Sequence, residues 1–124
     1  MISINSQEIA QFRSQLSNHP MALQALDQIE DCEGDLEDAA IGLAIHVGQM
    51  PTTSENWLEG LAKRCRVVIC NSQDSEAITQ GNIAPLVEDL MGRKVCPEIL
   101  TVPVAIYVYK FGIEKFCEPL DYKL

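Results

Sequence analysis

Asn5 and Glu8 stand three residues apart directly ahead of Ile9, Phe12 and Leu16, and this spacing leaves the chain little local choice. An Asn at a helix N-cap accepts the backbone N–H three residues on. A Glu at that position returns the bond, and the reciprocal box opens a helix. Ile4 and Ile9 flank the box as a hydrophobic staple, while Ile9, Phe12 and Leu16 recur on one helical face. A first helix is predicted over about 6–16.

The same punctuation recurs downstream. Asn18-His19-Pro20 interrupts the first helix, and Pro20 suits the first turn of a second, with Leu23, Leu26 and Ile29 inward. Gly34 ends that helix, and Asp35 caps a third with Asp38 at its third position. Leu36, Ala40, Leu43 and Val47 form one stripe of this third helix, with Ile41 and Ile45 nearly opposite. A helix apolar on two sides is expected at the centre of its domain. Pro51 is read as closing it and Thr53 or Ser54 as capping a fourth, whose Trp57, Leu58, Leu61, Cys65, Val68 and Ile69 share a face. A polar stretch over 71–75 precedes a fifth helical region, divided near Gly81-Asn82 and stopping near Gly92.

The segment 101–117 reads two ways. Its VPVAIYVY run alternates and is rich in β-branched and aromatic residues, which suits a strand. Without a turn signal before Cys117, and with Lys110 and Glu114 spaced to pair at i, i+4, helix is the preferred reading. The expected architecture is all-α: a single domain over 1–124 of five to seven helices, with the third, fourth and last forming the core. The alternative is a small α/β domain with strands near 66–70 and 102–111. At 124 residues there is enough chain for one core without metal or disulfide staples.

Charge is the strongest functional signal. The ten acids of residues 1–62 face one base, Arg13, whereas residues 63–124 carry eight of each sign. The net −9 therefore belongs to the first half, and seven of its acids crowd into the run Asp27, Glu30, Asp31, Glu33, Asp35, Glu37 and Asp38. This field disfavours bare nucleic acid, which demands a surplus of Lys and Arg, and disfavours anionic membranes. No signal peptide or membrane span is expected, since the apolar run 99–113 is interrupted by Thr101, Pro103 and Lys110. Five cysteines, Cys32, Cys65, Cys70, Cys96 and Cys117, are an odd number without a CxxC, which points to reduced thiols and a cytoplasmic protein.

Chemistry-bearing patterns are sparse. Counted from Asp31, Gly34 falls at the fourth position and the twelfth is Gly42, so the acidic run fails the calcium-loop pattern. The five-residue spacing of Cys65 and Cys70 does not suit zinc, and no metal or other cofactor is expected. Phosphate-loop, dinucleotide, serine-hydrolase and zincin motifs are all missing from the chain. The expected function is that of a non-enzymatic adaptor or regulator. Its acidic N-terminal half would dock a basic protein partner through Asp27, Glu30, Asp31, Glu33, Asp35, Glu37 and Asp38. The rival expectation is a small enzyme or ligand-binding protein whose inter-helix pocket uses His46, Cys65 or the acidic corner. A third treats 99–113 as an apolar surface for lipid or self-association. The opposed charges of Asp27–Asp38 and the cluster Lys63, Arg64 and Arg66 are also compatible with a symmetric homodimer.

Overall fold

A computed structural model describes residues 2–51 and 56–121; Thr53 and Ser54, read above as caps, lie outside the described residues. The described chain forms nine α-helices and no strand element. They are α1 (Ser6–Gln15), α2 (Pro20–Asp31), α3 (Leu36–His46), α4 (Trp57–Arg64), α5 (Arg66–Asn71), α6 (Ser75–Thr79), α7 (Ala84–Arg93), α8 (Thr101–Phe111) and α9 (Ile113–Asp121). A 3-10 turn, Glu98–Leu100, leads into α8. The fold is all-α, and the strand alternative falls: 66–70 lies within α5 and 102–111 within α8.

The first three helices begin as their caps dictate. The Glu8 N–H donates to Asn5 Oδ1 at 2.9 Å and the Asn5 N–H to Glu8 Oε1 at 3.0 Å, completing the box. Pro20 opens α2, and the Asp38 N–H donates to the Asp35 carboxylate at 3.1 Å to start α3. The α2–α3 turn is built differently from expectation. The left-handed residue that closes α2 is Glu33 (φ 57), with its N–H on the Glu30 carbonyl and the Gly34 N–H on the Ile29 carbonyl. Gly34 (φ 86) is needed for a second reason, because a Cβ there would sit 2.0 Å from the Ile4 carbonyl oxygen. The extended segment 2–4 runs against 34–36, with the Ile4 N–H donating to the Gly34 carbonyl at 3.0 Å and the Leu36 N–H to the Ile2 carbonyl at 3.3 Å.

Packing revises which helix is central. Thr101 through Val108 of α8 are all buried, and α8 packs on α2, α3, α4, α7, α9 and the 3-10 turn. By contrast Ile45 of α3 is 62% exposed, so the second apolar side of α3 is not covered. The centre is α8, with α2, α3 and α4 laid around it, rather than α3 itself. Two expected helices are also divided. The fourth breaks at Cys65 into α4 and α5, and the last breaks at Gly112, whose φ of 100° leaves helical space. With the helix broken there, Lys110 pairs with Glu8 of α1 at 2.7 Å, not with Glu114. Gln15 ties α1 to the α6–α7 connection by donating to the Gly81 carbonyl and accepting the Ile83 N–H, both at 2.9 Å.

The thiols are not all reduced. Cys70 of α5 and Cys117 of α9 form a disulfide across 47 residues, which overturns that expectation, and Cys32, Cys65 and Cys96 are free. Pairing of this kind depends on where α5 and α9 meet in space, which an odd count without short spacings does not reveal. No helix of the described residues is long and apolar enough to cross a membrane.

Candidate functional site

The structure separates the seven acids of the 27–38 run into three groups. Asp27 and Glu30 of α2 both hold the Arg13 guanidinium of α1, with Arg13–Asp27 at 2.7 Å, so they fasten one helix to the next. Asp35 caps its own helix, and Glu37 caps another. Asn56 enters α4 in the left-handed region without a side-chain cap bond, and the Leu58 N–H instead donates to both Glu37 carboxylate oxygens at 3.1 Å. Burial pushes the Glu37 carboxyl up in pKa, opposed by the Leu58 and Trp57 N–H groups and reinforced by Asp35 and Asp38. Asp31, Glu33 and Asp38 form the third group: all are exposed, and none makes an ion pair among the described residues.

Beside this corner lies a cleft of about 470 Å³ lined by Ile2, Asp35, Leu36, Glu37, Asp38, Asn56, Leu58, Glu59, Tyr107 and Phe111. Three parts of the fold meet there: the α2–α3 turn with segment 2–4 held against it, the start of α4, and the second half of α8. Tyr107 and Phe111, one helical turn apart on α8, stack with centroids 5.8 Å apart and planes at 21°. Phe116 of α9 closes behind Tyr107 edge-on at 6.4 Å and carries the Arg66 guanidinium on its face at 4.8 Å. Burial, then the charge of Glu59, pushes the Tyr107 hydroxyl up to about 12, so it stays protonated in the cleft that it lines with Glu59. The result is an apolar and aromatic floor rimmed by four carboxylates. Such a surface accommodates a cation with an apolar stem, since carboxylates pair with its charge and ring faces attract it.

Of the residues expected to act, Asp35, Glu37 and Asp38 reach this cleft, whereas Asp27 and Glu30 are spent on Arg13. Glu59 and the Tyr107–Phe111 wall were not placed there by the sequence, since they join the acids only through the packing of α4 and α8 on α3. His46 and Cys65 do not form a pair. His46 ends α3 exposed, while Cys65 is buried in the core. His19 is the histidine with a carboxylate partner, Nε2 lying 3.1 Å from Glu88 Oε2. No group of three or more His, Cys, Asp or Glu among the described residues is arranged to hold a metal ion.

A second carboxyl cluster lies away from the cleft and has no signature in the sequence. Asp74, just ahead of α6, faces Asp89 of α7, and its Oδ2 is buried without a hydrogen-bond donor. Desolvation first, then Asp89, raises Asp74 to about 6. A carboxyl raised above its unfolded value of ~3.9 stabilises the fold below that value and loses its contribution as pH rises through the folded value. Asp89→Asn removes the repulsion and supplies a donor. Its melting temperature relative to the parent should therefore climb as pH is raised from 4 through 6 to 7.5. A pH-independent difference in thermal scans would show that the two carboxyls do not interact.

Comparison with family models, with curated proteins and with solved structures returned no match.

Proposed function

We propose that this protein is a non-enzymatic docking module, an adaptor or regulator, whose basic protein partner inserts a lysine or arginine side chain into the cleft between α3, α4 and α8. The observation that carries the reading is the cleft itself, where Asp35, Glu37, Asp38 and Glu59 rim the stacked rings of Tyr107 and Phe111. The exposed Asp31 and Glu33 extend the same field along the α2–α3 turn, in the half of the chain that holds the entire net charge. Charge complementarity of this kind steers encounter and selects partners more than it adds raw affinity. A heterologous partner is favoured over a second copy because the basic cluster is partly used internally. Lys63 lies 3.5 Å from Glu59, and Arg66 stacks on Phe116.

The test is calorimetric titration with a synthetic arginine- and lysine-rich peptide, at two salt concentrations, against the parent and Asp31→Asn/Glu33→Gln/Asp38→Asn. Among the described residues these three acids make no ion pair, unlike Glu30, and cap no other helix, unlike Glu37, so their neutralisation should leave the melting temperature nearly unchanged. The triple variant should bind about tenfold more weakly, as loss of three rim charges implies, and added salt should weaken the parent more than the variant. Equal affinity of both proteins at both salts would overturn the reading.

Cytoplasmic residence is part of this proposal, and it makes a demand on Cys70 and Cys117. Cytosolic reductants open most disulfides, so in growing cells the bond should be found reduced, with both cysteines labelled by acid-quenched alkylation, and should close only in the isolated, oxidised protein. Protection of both would place the chain in an oxidising compartment.

A further inference from the structure

We propose that the Cys70–Cys117 disulfide is a thiol-exchange site that opens while the protein stays folded, and that the depression beside it favours a small cationic aminothiol as the reductant. Three helices build the site. Cys70 near the end of α5 is bonded to Cys117 of α9, and the start of α6 lies alongside. Between them is an open depression of about 370 Å³, lined by Ile69, Cys70, Ser75, Ile113, Glu114 and Cys117. The disulfide is thus part of the wall, and both of its cysteines are half-buried rather than enclosed. Access governs the rate of thiol–disulfide exchange, so a bond placed here can be attacked without prior unfolding.

The lining also selects the attacking thiol. Glu114 is exposed and is the one charged residue among those that line the depression. The nearest bases of its own strand of sequence are engaged elsewhere, Lys115 over the Phe111 ring at 5.5 Å and Lys110 on Glu8 at 2.7 Å. An anionic thiol therefore meets repulsion at the rim. An aminothiol can pair its ammonium with Glu114 while its apolar stem lies on Ile69 and Ile113.

The exchange takes two steps. The first aminothiol, as its thiolate, bonds one of the two sulfurs. The S–S bond breaks, and the other sulfur leaves with the electron pair and takes up a proton. A second thiolate then attacks the aminothiol sulfur of this mixed disulfide, releasing the remaining cysteine sulfur, which is protonated in turn. Two electrons pass to the protein, and the aminothiol leaves as its own disulfide.

The experiment uses the full oxidised chain, folded, with cysteamine or the anionic thiol mercaptoethanesulfonate at equal thiolate concentration. Samples are quenched in acid, denatured, alkylated and weighed. Alkylatable thiols should rise from three to five as Cys70 and Cys117 open, with a single-aminothiol adduct on one of them at early times. The rate should be linear in thiolate and unchanged by urea below the unfolding transition. Cysteamine should outpace the sulfonate, and Glu114→Gln should shrink their rate ratio about three- to tenfold at low salt, as expected for a unit charge near the rim. A rate that climbs with urea in step with the unfolded population would overturn the proposal, because opening would then require unfolding. So would a rate ratio identical in the parent and Glu114→Gln, or an oxidised chain in which Cys70 and Cys117 are still free thiols.

Discussion

Gly34→Ala is expected to destabilise the protein by about 3 kcal/mol or more, although it adds a single methyl group. Two costs combine. The residue sits at φ 86, where an L side chain is strained, and its Cβ would meet the Ile4 carbonyl oxygen at 2.0 Å. Backbone is the obstacle, so no side chain can turn aside to relieve it. Segment 2–4 must move away, giving up the Ile4–Gly34 and Leu36–Ile2 hydrogen bonds and the burial of Ile4. Ile2 is also a wall of the acidic cleft, and Asn5, the cap of α1, follows immediately. The variant should therefore lose stability and affinity for a basic peptide together. Urea unfolding measures the first loss, and a cost below about 1 kcal/mol would show that segment 2–4 does not pack on the α2–α3 turn.

Cys70→Ser/Cys117→Ser should cost about 2–4 kcal/mol, seen as a fall of roughly 10 °C in melting temperature. The effect lies mainly in the unfolded state. A crosslink spanning 47 residues removes much of the denatured chain's freedom, and that freedom returns when the bond is gone. The folded state loses little besides, since α9 remains anchored by Phe116 and Ile113 in the core. Thermal scans of the double variant, and of the parent in reductant, should coincide. An unchanged midpoint in both would mean that the bond does not form.

The early chain was legible because its signals are local. Asn5 with Glu8, Pro20, and Asp35 with Asp38 each satisfy backbone groups within their own helix, so spacing alone identifies them. The late chain was harder for a physical reason. A helix buried all round, as α8 is over Thr101–Val108, loses the polar face that would give it a period, and VPVAIYVY then resembles a strand. The same reliance on period made α3 look central. Its two-sided apolar pattern counts Ile45, which the helix leaves in solvent. Gly112 was passed over because one glycine in an apolar run is an ambiguous stop, and its φ of 100° is set by how α9 must turn. The site was half legible. The acidic run named Asp35, Glu37 and Asp38, but the division of labour among the acids depends on partners far away in sequence. Arg13 claims Asp27 and Glu30, the start of α4 claims Glu37, and Tyr107 brings in Glu59.

The central claim is that a basic side chain seats in the cleft between α3, α4 and α8, and its most direct test is where such a ligand lands. Amide chemical shifts of isotope-labelled protein, followed during titration with the arginine- and lysine-rich peptide, give that location. The account predicts saturable shifts concentrated in residues 31–38, 56–59 and 107–111, with the α6 and α9 amides unmoved. Shifts scattered over the surface, or centred on any other face, would contradict it.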